Sequence, residues 1–224
     1  MVARRLDVLN ALVQTGFLPL FYHASNESAK GVAMACHAGG ARCVEFTNRG
    51  VGAISVFSIM SEHCARLAPG LFLGAGSICD AGTAAQYINA GASFIVGPCF
   101  DAGVAQTCNQ RKVAYIPGCA TATEIHQAHA HGVEICKLFP AASIGGPEFV
   151  KAILAPMPWA SLLPTGGIEP TRESMAPWFK AGIVCAGLGS ALISASLMES
   201  HAHGELTSKV AKTATLVNEL RGKK

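Results

Sequence analysis

Glu134-Ile135-Cys136-Lys137-Leu138-Phe139-Pro140 is the stretch from which the rest of the chain can be read. Apolar and β-branched residues closed by a proline predict a short buried strand. A lysine interrupts it. Lysine is seldom fully buried unless something holds it, and burial disfavours its charged form. An amine kept neutral is a nucleophile, which is how Schiff-base lysines arise. The plainer reading is a lysine at a strand end whose ammonium reaches water along its aliphatic stem. Side chains alternate along a strand, so Lys137 and Phe139 share one face and Cys136 and Leu138 the other.

Outward from this strand the chain alternates between two patterns. Short apolar runs predict strands at 17–22, 43–47, 71–73, 93–96, 113–116, 161–163 and 183–186, besides the lysine strand. Helical patterns lie between them. Asn26 is placed to cap the first, with Ala29, Val32, Ala33 and Cys36 inward. A second spans 51–67, Asp80 and Asp101 open the next two, and Thr121 or Thr123 caps the fifth. Gly145-Gly146-Pro147 starts the sixth and Thr171 the seventh. Gly74-Ala75-Gly76-Ser77 and Pro117-Gly118 read as turns after strands. A helix with Leu6, Leu9, Leu12 and Val13 on one face precedes the first strand. A final helix carries Leu206, Val210, Val217 and Leu220.

Alternating strands and helices imply a parallel sheet. Eight such units in about 200 residues predict a closed (β/α)8 TIM barrel, with 1–224 forming one domain. An open doubly wound sheet is the alternative, but it usually has fewer strands and one dominant glycine-rich loop. Here glycines, hydroxyls and charges follow most of the strands, as a site at a barrel's carboxyl face requires.

Composition narrows the class. Hydrophobic residues make up 50% of the 224 and charged residues 14%, enough apolar material for a large core. The net charge of +3 is scattered, with no basic run suited to nucleic acid or an anionic membrane. Nine cysteines with no Cys-x-x-Cys pair point to a reducing, cytoplasmic setting, not to disulfides or zinc. Asp7 and Asn10 break the apolar run that a signal peptide would need after Arg4 and Arg5. The uncharged stretch 181–198 is long enough to span a bilayer. Gly182, Gly187, Gly189, Ser190, Ser194 and Ser196 interrupt it, so a strand, a glycine turn and a buried helix account for it better.

Several residues could carry chemistry. By strand parity Cys43, Glu45 and Thr47 share a face, which leaves Glu45 inside an apolar strand. A buried carboxylate is paired or protonated, and its raised proton affinity suits a general acid/base. A Glu-Lys ion pair that only holds the barrel together fits the same parity. Arg49 follows that strand with a planar fork suited to a carboxylate, or it is a solvated surface arginine. Ser77 offers a hydroxyl near the same bowl. Thr165-Gly166-Gly167 and Gly187-Leu188-Gly189-Ser190 end the last two strands. Such turns can present backbone N–H groups to a phosphate in a barrel, although glycine after a strand is often only a turn residue. His126, His129 and His131 fall on the fifth of these helices and His201 and His203 near a loop. They read as surface histidines, with no metal site. Cys99 and Cys119, at strand ends, read as packing residues.

Taken in order, Val-Glu-Phe-Thr-Asn-Arg around Glu45, Gly74-Ala75-Gly76-Ser77, Ile116-Pro117-Gly118, Lys-Leu-Phe-Pro-Ala from Lys137 and Pro164-Thr165-Gly166-Gly167 form a specific set. From about 18 to 193 the chain resembles the 2-keto-3-deoxy-6-phosphogluconate aldolases. These class I enzymes also cleave 4-hydroxy-2-oxoglutarate. The resemblance implies a (β/α)8 barrel with an N-terminal helix over its bottom, assembled as a homotrimer, and no cofactor. It implies that Lys137 is the Schiff-base lysine and Glu45 the general acid/base, and that Arg49 holds the pyruvyl carboxylate. Ser77 stands where the family usually has threonine. Gly166, Gly167 and Ser190 would cradle the phosphate, beside Thr165, Gly187 and Gly189. The substrate implied is a small 2-keto-3-deoxy sugar phosphate or a hydroxy-oxo acid. Two positions depart from the pattern. Thr121-Ala122-Thr123 lacks a proline often found there, and Cys99 replaces a common glycine. The alternatives are an aldolase for the galactonate epimer, a phosphate-binding barrel isomerase or synthase, and a non-catalytic sugar-phosphate sensor.

Overall fold

Parallel strand pairing organises the molecule. The computed structural model describes residues 4–199 and 203–222. After α1 (Arg5–Thr15), strands and helices alternate: β1 (Phe17–Phe21), α2 (Asn26–Ala38), β2 (Cys43–Thr47), α3 (Ala53–Leu67), β3 (Phe72–Gly76), α4 (Ala81–Asn89), β4 (Phe94–Val96) and α5 (Ala102–Arg111). Then come β5 (Ala114–Ile116), β6 (Gly118–Cys119), α6 (Ala122–Ala130), β7 (Ile135–Leu138), α7 (Gly146–Leu154), β8 (Ser161–Pro164), α8 (Arg172–Ala181) and β9 (Ala186–Leu188). Helices α9 (Ala195–Glu199) and α10 (His203–Leu220) close the chain.

Local side chains set the helix starts. Asp80, Asp101, Thr121 and Thr171 each accept the backbone N–H three residues on, satisfying one of the donors a helix leaves unpaired. The cap of α2 is Ser25, one residue before Asn26. Helix α3 begins at Ala53, after a left-handed Gly52, so Val51 is left outside it and exposed.

The strands form two all-parallel sheets, ordered β5-β4-β3-β2-β1-β9 and β6-β7-β8. Pro117 separates β5 from β6, because it has no N–H to donate to a ladder. Its carbonyl still accepts the Lys137 N–H at 2.9 Å. On the other side Val184 N–H donates to Leu162 O at 3.1 Å, and Thr165 forms a parallel bridge with Gly187.

Three strand assignments differ from the sequence expectation for one reason: a glycine inside a strand looks like a turn. Gly74-Ala75-Gly76 belongs to β3, Gly118 to β6 and Gly187 to β9. Neighbouring groups occupy the space a side chain would need. A Cβ on Gly74 would lie 2.1 Å from the Phe94 ring, and one on Gly118 2.0 Å from Pro98 O. The last strand accordingly spans Ala186–Leu188 instead of 183–186.

Two apolar clusters hold these layers. The larger lies between strands and helices and includes Phe46, Phe57, Cys136 and Leu138. The smaller joins Val8, Leu9, Ala11 and Leu12 of α1 to the opposite strand faces, through Leu18, Cys43, Phe94, Ile116, Ile135 and Leu163 among others. The buried face of α1 is therefore Val8-Leu9 with Ala11-Leu12, while Leu6 and Val13 are exposed. Burying Leu12 alone is worth about 1.5–3 kcal/mol relative to leaving it in water. Arg5 fastens the helix, donating to Asn109 Oδ1 and Glu134 Oε2, both at 2.6 Å. Among the described residues no helix is long and apolar enough to cross a membrane. The stretch 181–198 resolves into the last residue of α8, strand β9, a turn and most of α9.

Candidate active site

Strand β7 carries Lys137 between Gly118 of β6 and Leu163 of β8. The lysine is only 6% exposed. Little of it is open to water. Among the described residues no ion pair includes Lys137 or Glu45. Its Nζ instead lies 4.9 Å from the centroid of the Phe139 ring.

Strand β2 carries Glu45, 2% exposed, flanked by Leu20 and Gly74. Burial pushes its carboxyl above the usual carboxylate range, while the charges of Lys137 and Arg49 pull the other way. The two buried groups thus sense each other electrostatically without closing into an ion pair. Burial keeps the carboxyl prone to hold a proton.

The rim residues come from the loops that follow. Arg49 is exposed just past β2, its N–H donating to Thr47 O at 3.0 Å. Ser77 follows β3 in a left-handed conformation at φ 62°, half-buried. Non-glycine residues seldom adopt that conformation.

Thr165 follows β8 in the interior, 6% exposed. Its N–H donates to Leu138 O and its carbonyl accepts from Ala141 N–H, both at 2.9 Å, so the loops after β7 and β8 are tied together. Its Oγ1 is buried without a hydrogen-bond partner among the described residues. A Cβ on Gly187 would lie 2.2 Å from that oxygen. Gly187 is therefore a buried strand residue that makes room for Thr165, and not part of the expected open turn. Gly166 and Gly167 bend the chain at φ 99° and 79°. Past β9, Gly189 O accepts the N–H of both Leu192 and Ile193 at 2.9 Å, a tight turn that leaves Ser190 exposed.

Lys137, Glu45 and Thr165 are thus buried on β7, on β2 and just past β8, while Arg49, Ser77, Gly166, Gly167, Gly189 and Ser190 lie on the loops after β2, β3, β8 and β9. Sequence reasoning passed over Gly76, whose missing side chain leaves space that Glu45 fills. Strand parity with Glu45 on the neighbouring strand was the available signal, and the turn reading hid it.

Among the described residues no three His, Cys, Asp or Glu side chains assemble a metal site. His126 and His131 are exposed on or beside α6 and His129 is half-buried there. His203 begins α10, and His201 lies outside the described residues. Cys119 is buried, but Cys99 is exposed, so it is no packing residue. It sits on a loop anchored by Tyr115 Oη, which donates to its carbonyl at 3.2 Å.

A family model described as KDPG and KHG aldolase matches residues 8–209. The chain belongs to this family. It is 31% identical over 212 residues to 2-dehydro-3-deoxy-phosphogluconate aldolase of Treponema pallidum, covering 95% of this chain and 98% of the relative. It is 29% identical over 207 residues to the KHG/KDPG aldolase of Escherichia coli K12, covering 91% and 93%. The crystal structure of KDPG aldolase from Legionella pneumophila, with pyruvate captured at low pH as a covalent carbinolamine, superimposes with a TM-score of 0.81. The two sequences are 25% identical, with 90% of this chain and 95% of that one covered.

Proposed function

We propose that this protein is a class I aldolase. It cleaves 2-dehydro-3-deoxy-6-phosphogluconate to pyruvate and glyceraldehyde 3-phosphate, and 4-hydroxy-2-oxoglutarate to pyruvate and glyoxylate. The observation that carries the reading is a pair of buried, opposite, unjoined groups on β7 and β2, Lys137 and Glu45, on a family background of KDPG and KHG aldolases.

The unprotonated Lys137 amine attacks the C2 ketone. The carbinolamine loses water to give an iminium, which serves as electron sink. Glu45 takes the C4 hydroxyl proton, the C3–C4 bond breaks, and the aldehyde leaves. The enamine is protonated at C3, and hydrolysis of the iminium frees pyruvate. Arg49 and Ser77 hold the pyruvyl carboxylate. Thr165, Gly166, Gly167, Gly189 and Ser190 form the surroundings of the phosphate, and Gly187 makes room for Thr165. The covalent carbinolamine in the Legionella relative supports this route.

The same reading takes 1–224 as one domain whose two sheets close into a (β/α)8 barrel. The Thr165–Gly187 bridge and the run of chain through Pro117 support closure. A homotrimer working in the cytoplasm goes with the family and with nine unpaired thiols.

Borohydride in the presence of pyruvate should add mass to the peptide bearing Lys137, read by mass spectrometry. Lys137→Ala and Lys137→Arg should abolish both labelling and turnover, since a guanidinium stays protonated. An unlabelled wild-type protein would rule out the Schiff base. Comparing cleavage of the gluconate and galactonate epimers identifies the preferred substrate.

A further inference from the structure

We propose that Gly76 is a positioning residue for Glu45: its missing side chain is what lets the carboxylate lie where it can exchange protons with substrate. The inference rests on the aldolase reading for its catalytic consequence, and on geometry alone for its structural one.

A Cβ built on Gly76 would meet Glu45 first on all counts, at 1.9 Å from Oε1, 2.6 Å from Cδ and 2.8 Å from Cγ. These are the end atoms of one side chain, with no backbone atom among them. Gly76 is not one of the positive-φ glycines, and it sits in a regular strand opposite Thr47, its carbonyl accepting from Asn48 N–H at 2.8 Å. The backbone therefore makes no demand for glycine here. The register adds direction. Glu45 is paired with Gly74, yet its carboxyl lies against Gly76, two residues nearer the carboxyl end of β3. The side chain leans along the sheet toward the loops that carry Arg49 and Ser77. A methyl group at 76 would drive it out of that position, and a displacement of about 1 Å at a catalytic group can cost about 100-fold in rate.

The test is a cycle of Gly76→Ala with Glu45→Asp, whose carboxylate is one methylene shorter. Gly76→Ala alone should lower kcat about 100-fold with little change in KM, and should shift the acid limb of the pH–rate profile. In the Glu45→Asp background the same substitution should cost less than about 3-fold, a non-additivity expected only of groups in contact. Equal losses in both backgrounds, or a Gly76→Ala enzyme at wild-type rate, would overturn the proposal.

Melting temperatures supply the readout that needs no activity. Gly76→Ala should lower Tm in wild type and leave it unchanged in Glu45→Ala. If Gly76→Ala alone fails to fold, Glu45→Ala/Gly76→Ala should restore the folded protein, and continued misfolding would refute the assignment. If wild type shows no borohydride trapping, the aldolase reading has failed, and the Tm cycle still decides this one.

Discussion

Lys137 Nζ lies 4.9 Å from the centroid of the Phe139 ring, two residues further along the same face of the chain. The lysine is 6% exposed and the phenylalanine 36%. The ring is therefore a partly exposed surface beside a buried amine. A cation over an aromatic face gains about 0.5–1 kcal/mol where exposed and more where water is excluded. On the proposed route an iminium on Lys137 would carry such a charge, so the ring would favour that intermediate.

Phe139→Ala should lower kcat/KM about five-fold or more, the equivalent of about 1 kcal/mol of transition-state stabilisation. Phe139→Tyr, which keeps a ring, should stay near wild type. A coupled assay of pyruvate release measures both. An alanine variant as fast as wild type would deny the ring any part in the site.

Glu45 gives the pH dependence a sign. Burial raises its pKa above the usual 4.5, against the opposing charges of Lys137 and Arg49. The folded state therefore holds this proton more tightly than the unfolded chain. The stabilisation is complete below 4.5, where both states are protonated, and is lost as pH rises through the raised folded value. Glu45→Gln, which cannot ionise, should match the wild-type Tm in acid and exceed it at neutral pH. The same variant should lose about 10²–10⁴ in kcat. Thermal melts across the acid-to-neutral range, with rates alongside, check both. A variant less stable than wild type at neutral pH would contradict the linkage.

Thr165 predicts a trade of stability against binding. Its Oγ1 is buried without a partner among the described residues, a state that costs about 1–3 kcal/mol. Thr165→Val removes the orphaned oxygen while leaving Gly187 its clearance. The variant should melt about 2–4 °C higher for each kcal/mol regained, yet bind substrate more weakly if the hydroxyl pairs with ligand. Calorimetry and KM for the phosphorylated substrate together separate the outcomes. A drop in Tm would mean the hydroxyl already has a partner in solution.

Much of the architecture was legible from residue order. Strand–helix alternation identified a parallel α/β fold, and the caps Asp80, Asp101 and Thr171 stand where their side chains suggested. The misreadings share a cause. Gly76, Gly118 and Gly187 read as turn residues because glycine relaxes the backbone anywhere, whereas here each answers to an atom from a distant part of the chain. The N-terminal helix misled in a similar way. Leu6 and Val13 are as apolar as Leu9 and Leu12, but the strands that α1 covers meet only one side of it.

Alternation along single strands was enough to pair Lys137 with Phe139 and to set Glu45 apart from its apolar neighbours, because side-chain direction is a local property with a period of two. Whether lysine and carboxylate would form an ion pair or stand apart depended on strands β2 and β7 being held by other strands and by α1, a packing distance that no local rule contains. The room over Gly76 and the unpartnered Thr165 hydroxyl belong to the same category, since an empty volume is defined only by everything that surrounds it.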